Sequence, residues 1–236
     1  MFKVIFVVHG MRTGEINKEL KSFISRTFDW ISEEYVVAFL ESNTENLEQT
    51  MSSLIAKGYK YFYVIPIILF EARHYLEDIH GVIETYKNRH NEIEIYISKP
   101  IGTHHEMIQQ LKFKIDKYKE EDMAIVLLAH GSSTYKYPDI ALKNICNQIQ
   151  EHVYPLTIYG DLTYKTHLQK LTKCHDKLLI VPYFMFDGFL VNKTKQNIKM
   201  MNLNTEIIYT PAINFDIGME RAVIDNLNSL KVLTNV

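Results

Sequence analysis

Three residues with useful chemistry, His9, Glu41 and His74, each follow a short apolar run. His9 comes after KVIFVV, Glu41 closes VVAFLE, and His74 lies in PIILFEARHYLEDI, where the run ending at Phe70 gives way to Glu71, Arg73, His74, Glu77 and Asp78. Imidazole nitrogens and a carboxylate are ordinary donors for divalent first-row transition metals. Imidazole also exchanges a proton near neutral pH. Brought to one cleft, these three side chains could hold a metal ion and take up a proton. They are far apart in sequence and share no short ligand spacing, so the fold itself must bring them together.

The elements that would do so are legible as apolar runs alternating with amphipathic stretches. Strands are expected over Lys3–Val8, Tyr35–Leu40, Tyr61–Ile68, Glu92–Ile97, Ala124–Ala129, Leu156–Tyr159, Lys177–Pro182 and Thr205–Tyr209. Helical periodicity fills the intervals, for example Glu45–Lys57 and Ile140–His152. Strands apolar on both faces, alternating with helices, predict an α/β fold with mainly parallel sheets covered on both sides. Ligands of such sheets bind outside the carboxyl ends of the strands, where His9, Glu41 and His74 all fall.

The sequence also repeats. VVHG (7–10) is followed by VIPIILFEA (64–72), and LAHG (128–131) by IVPYFMFDG (180–188). Two matches in register predict a duplication, with two similar halves of four strands each. The charged KYKEED at 117–122 marks the boundary, so the expected halves are 1–120 and 121–236. Aligning Pro66 with Pro182 sets Glu71 opposite Asp187 and His74 opposite Leu190. The first half is therefore expected to carry the metal site and the second to be degenerate.

Composition narrows the class. The chain has 236 residues, 47% hydrophobic and 23% charged, with a formal net charge of −2, which gives no broad basic surface for nucleic acid. No apolar run approaches the roughly 18 residues of a membrane span. MFKVIFVVHGMR reads as a first strand and not as a signal peptide. Two widely separated cysteines, Cys146 and Cys174, fit a reducing compartment, so a cytoplasmic location is expected. Neither a GxGxxG nor a GxxxxGK[ST] phosphate cradle is present. Histidine phosphatases need Arg before a strand-end His, where this chain has Val8. GTHHE (102–106) reads as a helix start with Thr103 as N-cap and Glu106 closing a capping box. Glu77 and Asp78 read as first-turn acids of another helix.

Together VVHGMR, AFLES, PIILFEARHYLEDI and the echo AHGSS…VPYFMFDGFLV resemble the class II chelatases of modified tetrapyrrole synthesis, most nearly the sirohydrochlorin ferrochelatases and cobaltochelatases. The resemblance spans essentially the whole chain. It implies a chelatase-like fold and an enzyme that inserts a divalent metal into a tetrapyrrole. His9 and His74 would hold the metal and His9 would accept a proton. Glu41 would assist, by orienting a histidine or passing a proton on. Ser42 to Thr44 and the stretch Leu69, Phe70, Glu71, Ala72, Arg73 would line the macrocycle pocket, with Arg12 and Arg73 facing its carboxylates. Met11 stands where the family usually has Ser, and Thr44 where a charged residue is common. The expected reaction is Fe2+ insertion into sirohydrochlorin to give siroheme. Cobalt insertion for cobalamin and a non-catalytic tetrapyrrole or metal carrier are the alternatives. With no His-rich or Cys-rich stretch at the chain's end, the expectation leans to iron. No cofactor beyond the substrate metal (Fe2+, or Co2+ or Ni2+) is expected, nor any nucleic-acid or membrane partner. A monomer is expected because both halves lie in one chain.

Overall fold

The computed structural model describes residues 2–10, 15–29, 31, 33–149 and 152–234. In the first half, β1 (Lys3–Val8), α1 (Glu15–Phe28), β2 (Tyr35–Phe39), α2 (Leu47–Ala56), β3 (Tyr61–Ile67), α3 (His80–Arg89) and β4 (Glu94–Ile97) follow in order. A π-helical turn, His74–Ile79, leads into α3. The second half has α4 (His105–Tyr118), β5 (Met123–Gly131), α5 (Tyr137–Ile149), β6 (Val153–Tyr159), α6 (Tyr164–Leu171), β7 (Lys177–Pro182), α7 (Phe189–Met200), β8 (Glu206–Tyr209) and α8 (Ile217–Leu233).

The strands form two four-stranded sheets, ordered β2-β1-β3-β4 and β6-β5-β7-β8. Every pairing is parallel. The central strands explain why: all six residues of β1 are buried, as are six of the seven in β3. Such strands need a cover on each face, which the helices supply. In the first sheet the core gathers Ile5, Val7, Phe62 and Val64 from the strands with Met51, Leu54, Ile79 and Ile83 from the helical layer. In the second, Val126, Leu128 and Ile180 pack with Leu168 and Ile198.

The duplication is visible in the register. Val7 pairs with Pro66 in the first sheet and Leu128 with Pro182 in the second, so the two prolines occupy one position in two copies. Each lies past the last pair made on the strand's outer flank, Val64 with Ile97 or Ile180 with Tyr209. Proline, lacking an N–H, is tolerated where a strand has lost one neighbour.

Most elements have an edge one to three residues from expectation, and three of the differences have a local physical reason or bear on the site. β6 begins at Val153, not Leu156, and runs through Pro155; it is an edge strand, where proline is allowed. β2 ends at Phe39, so Glu41 lies in the turn beyond it. The N-cap of α4 is His104, not Thr103: its side chain accepts the backbone N–H of Glu106 at 3.3 Å.

The compact units do not follow the repeat boundary. One comprises residues 1–102 with 220–236, and the other residues 103–219. Thus α4, which follows the first sheet in sequence, packs on α5 in the second unit. Most of α8 returns to the first unit, where Lys231 pairs with Glu33 at 2.7 Å and Asn226 donates to the Lys99 carbonyl at 3.0 Å.

Candidate metal centre

The order β2-β1-β3 makes the carboxyl ends of β1 and β3 a switch point, because the chain leaves β1 to one side for β2 and returns on the other for β3. His9 stands at the end of β1 and His74 beyond the end of β3. The Glu41 N–H donates to the His9 carbonyl at 3.2 Å, extending the β1–β2 pairing by one step and placing Glu41 beside His9. Ligand atoms of His9, Glu41 and His74 all lie within 4.8 Å of one another. The two rings meet edge to face with centroids 4.7 Å apart.

Each imidazole is oriented through Nδ1. His9 Nδ1 is 3.0 Å from the Gly10 carbonyl oxygen, which can only accept, so Nδ1 carries the hydrogen. Gly10 has φ +63°, and a Cβ there would come within 2.6 Å of the Phe39 ring, so the turn that holds His9 requires glycine. His74 Nδ1 donates to Asp78 Oδ2 at 2.6 Å. Both rings therefore keep the Nε2 lone pair for a metal. His74 Nε2 lies 4.0 Å from Glu41 Oε1, beyond hydrogen-bond length, with both side chains about one-third exposed. Donors about 2.1 Å from a tetrahedral ion stand roughly 3.4 Å apart, so small side-chain rotations would close this set on a metal. Three protein donors leave a coordination position open.

The π-helical turn explains how His74 is carried there. The His80 N–H bonds to the Tyr75 carbonyl, five residues back, and Tyr75 Oη reaches the Ser98 carbonyl at 3.2 Å. Tyr75 and Ile79 are buried, so the turn is pinned from below while His74 and Asp78 stay at its half-exposed face. π-bulges of this kind recur at functional sites.

The other expected site residues distribute as follows. Leu69, Phe70, Glu71 and Ala72 are half-buried in the segment between β3 and His74. That segment is tied down by the Ile101 and Gly102 N–H groups, which donate to the Ile68 and Leu69 carbonyls. Arg73 is exposed and pairs with Glu77 at 3.5 Å. Thr44 is exposed, while Ser42 is buried and its Oγ accepts the Thr44 and Glu45 N–H groups, which turns β2 toward α2. Arg12 and Met11 lie outside the described residues.

By sequence Asp78 is expected to be a first-turn acid favoured by the helix dipole. It is instead the acceptor for His74, and the His-x-x-x-Asp spacing was the signal that could have found it. Glu41 is expected to orient a histidine or pass a proton on; for His74 the shorter carboxylate contact is that of Asp78.

The second sheet has the same frame without the donors. Val8 pairs with Phe39 and Ala129 with Thr157, so His130 corresponds to His9 and Tyr159 to Glu41. Leu190 takes the place of His74 in the proline register. His130 repeats the His9 geometry, with Nδ1 2.8 Å from the Gly131 carbonyl and Gly131 at φ +69°. Its ring lies 5.1 Å from that of Tyr159, with no second imidazole or carboxylate at the matching positions.

The chain matches the protein-family model described as CbiX twice, over residues 3–118 and 124–230. It is 29% identical over 227 residues to a sirohydrochlorin cobaltochelatase of Priestia megaterium, spanning 88% of this chain and 72% of that protein. It is 27% identical over 219 residues to a sirohydrochlorin ferrochelatase of Bacillus subtilis, spanning 87% and 82%. Among solved structures, SirB from Bacillus subtilis with Fe3+ superposes with a TM-score of 0.83 at 23% identity, over 97% of this chain and 94% of that one. That likeness is one of fold.

Proposed function

This chain belongs to the CbiX family, and from that premise we propose that it is a sirohydrochlorin chelatase, an enzyme that inserts a divalent metal into the macrocycle. The observation that carries the reading is the convergence of His9, Glu41 and His74 at the β1/β3 switch point, with ligand atoms within 4.8 Å of one another. In this reading the metal is a substrate, held by the His9 and His74 Nε2 atoms with Glu41 as the third donor. Insertion exchanges those donors for the four macrocycle nitrogens and releases two N–H protons. His9 takes up one of them as it leaves the metal, and Glu41 passes protons toward solvent. The half-buried segment Leu69–Ala72 supplies the apolar wall of the macrocycle site. Arg73 and Arg12 are the cations we assign to its carboxylates, with Thr44 as a further polar contact.

Iron is the metal we assign first, giving siroheme. Co2+ insertion is the second reading, and the Priestia megaterium relative favours it. An imidazole–carboxylate set binds both ions, so selection between them rests on kinetics and supply. The test is an absorbance time course of the purified protein with sirohydrochlorin and Fe2+, Co2+ or Ni2+ in turn. Rates well above metal-only controls are expected, and the ratio of kcat/KM values ranks the metals. A rate equal to the control with every metal, alongside tight macrocycle binding, would make the protein a carrier instead.

A further inference from the structure

The two imidazoles of the site are backed by different acceptors. His9 leans on a neutral backbone carbonyl, the Gly10 oxygen at 3.0 Å, whereas His74 leans on a carboxylate, Asp78 Oδ2 at 2.6 Å. A charge-assisted bond is shorter and stronger than a neutral one, and an anionic partner makes the imidazole a better donor to a metal. Asp78 is also built in. It lies on the same π-helical turn as His74, four residues on, and that turn is anchored by buried Tyr75 and Ile79. Glu77, its neighbour, is drawn away to Arg73.

Resting on the chelatase reading, we propose that Asp78 is a positioning residue: by accepting the His74 Nδ1 hydrogen it aims Nε2 into the site and makes His74 the retained metal ligand, leaving His9 as the one that lets go. This division of labour suits metal transfer. One ligand must keep the ion registered over the macrocycle while another is released to take up a proton. A ring tethered by a carboxylate fits the first task, and a ring on a backbone carbonyl fits the second. Asp78 itself touches neither the metal nor the macrocycle in this scheme.

The experiment is a Co2+ titration of the full-length protein, followed by the visible absorption of the bound ion, on the parent, Asp78→Ala, Asp78→Asn, His74→Ala and Asp78→Ala/His74→Ala proteins. Far-UV circular dichroism and the thermal midpoint establish that each variant is folded. Asp78→Ala is expected to raise the Co2+ Kd by about 10–100-fold, as loss of an outer partner of a ligating histidine does. Asp78→Asn, whose amide oxygen accepts the same N–H without the negative charge, is expected to recover part of that loss, since it keeps the aim of the ring and loses the charge assistance. In the His74→Ala background, Asp78→Ala should add nothing, because the residue acts through the ring. An unchanged Kd in Asp78→Ala, an Asn variant as weak as the Ala variant, or fully additive losses would each overturn the proposal. His74→Ala separates the two levels of the argument. If it leaves Co2+ binding intact, the metal site itself is misassigned; if it weakens binding while Asp78→Ala does not, only the role of Asp78 falls.

Discussion

The donor atoms of His9, Glu41 and His74 converge where two strand ends part. Removing one imidazole should therefore abolish transfer while sparing the fold, since His74 is only half-buried. His74→Ala is expected to lower the chelation rate by more than about 100-fold with an unchanged circular dichroism spectrum, a larger loss than outer-partner mutations produce. Near-parent turnover in the folded variant would remove His74 from the site. His130 provides the contrast. It repeats the His9 turn but faces Tyr159 and lacks a second imidazole opposite. His130→Ala is expected to keep activity within about twofold of the parent, as substitutions away from special features do. A loss as deep as that of His9→Ala would mean that the second half carries chemistry too.

Between the strands and the site lie short connecting segments, and these set its geometry. Gly102 packs so close to the segment leading to His74 that an added Cβ would sit 2.1 Å from the Leu69 carbonyl oxygen. Because the obstacle is backbone, Gly102→Ala must displace that segment. A loss of about 1–3 kcal/mol in stability is expected, with weaker metal binding. Gly81, within α3, has open space around it, so Gly81→Ala should be neutral or stabilise by up to about 1 kcal/mol. Denaturant titrations of the two variants check the contrast, and equal effects would contradict it. The corresponding segment of the second half is held differently. Asp187 accepts from the Asn214 amide at 2.8 Å and the Ala212 N–H at 3.1 Å. Burial pushes its carboxyl up, but the Asn214 and Ala212 bonds and the Lys195 ammonium outweigh that and hold it below the usual aspartate range. A depressed folded-state value adds stability that is complete above the unfolded aspartate value, ~3.9, and is lost as pH falls through the folded one. Asp187→Ala should thus lower the thermal midpoint at neutral pH and flatten its decline below about pH 4. A parallel acid limb in parent and variant would show that Asp187 contributes nothing there.

At the scale of the molecule, the repeat and the compact units are different partitions of one chain. The family model matches 3–118 and 124–230, whereas residues 220–236 belong to the unit of the first sheet. The unit with the candidate metal centre is therefore completed by residues 220–236. Thr234 bonds to the Tyr63 hydroxyl, Lys231 pairs with Glu33, and Ala222, Val223, Leu227 and Leu230 are buried. Deleting residues 220–236 removes these buried Val and Leu side chains, each worth about 1.5–3 kcal/mol, and uncovers the surface they pack on. The thermal midpoint is expected to fall by at least about 5 °C, with metal binding lost in parallel. An unchanged midpoint would show that residues 1–102 stand without the returning helix. Among the described residues no helix is long and apolar enough to cross a membrane.

Much of this was determined by sequence alone, because it depends on period and local chemistry. Runs such as KVIFVV and KLLIVP, apolar on both faces, can only be buried parallel strands, and the paired His-Gly and Pro signals put two copies of one frame in register. The placement of His9, Glu41 and His74 beyond strand ends follows from those runs, whereas the order of the strands came from the structure. What tertiary structure alone decided are relations among residues distant in sequence or in backbone geometry that no local pattern encodes. The helix swap between units depends on which apolar faces fit, and residues 103–118 and 220–236 look alike as amphipathic segments. The role of Asp78 depends on a π turn that stacks it against His74, where an ordinary helix start would have left a dipole-favoured acid. That the repeat does not reproduce the donor set around His130 depends on cross-strand register, which sets Tyr159 where Glu41 stands.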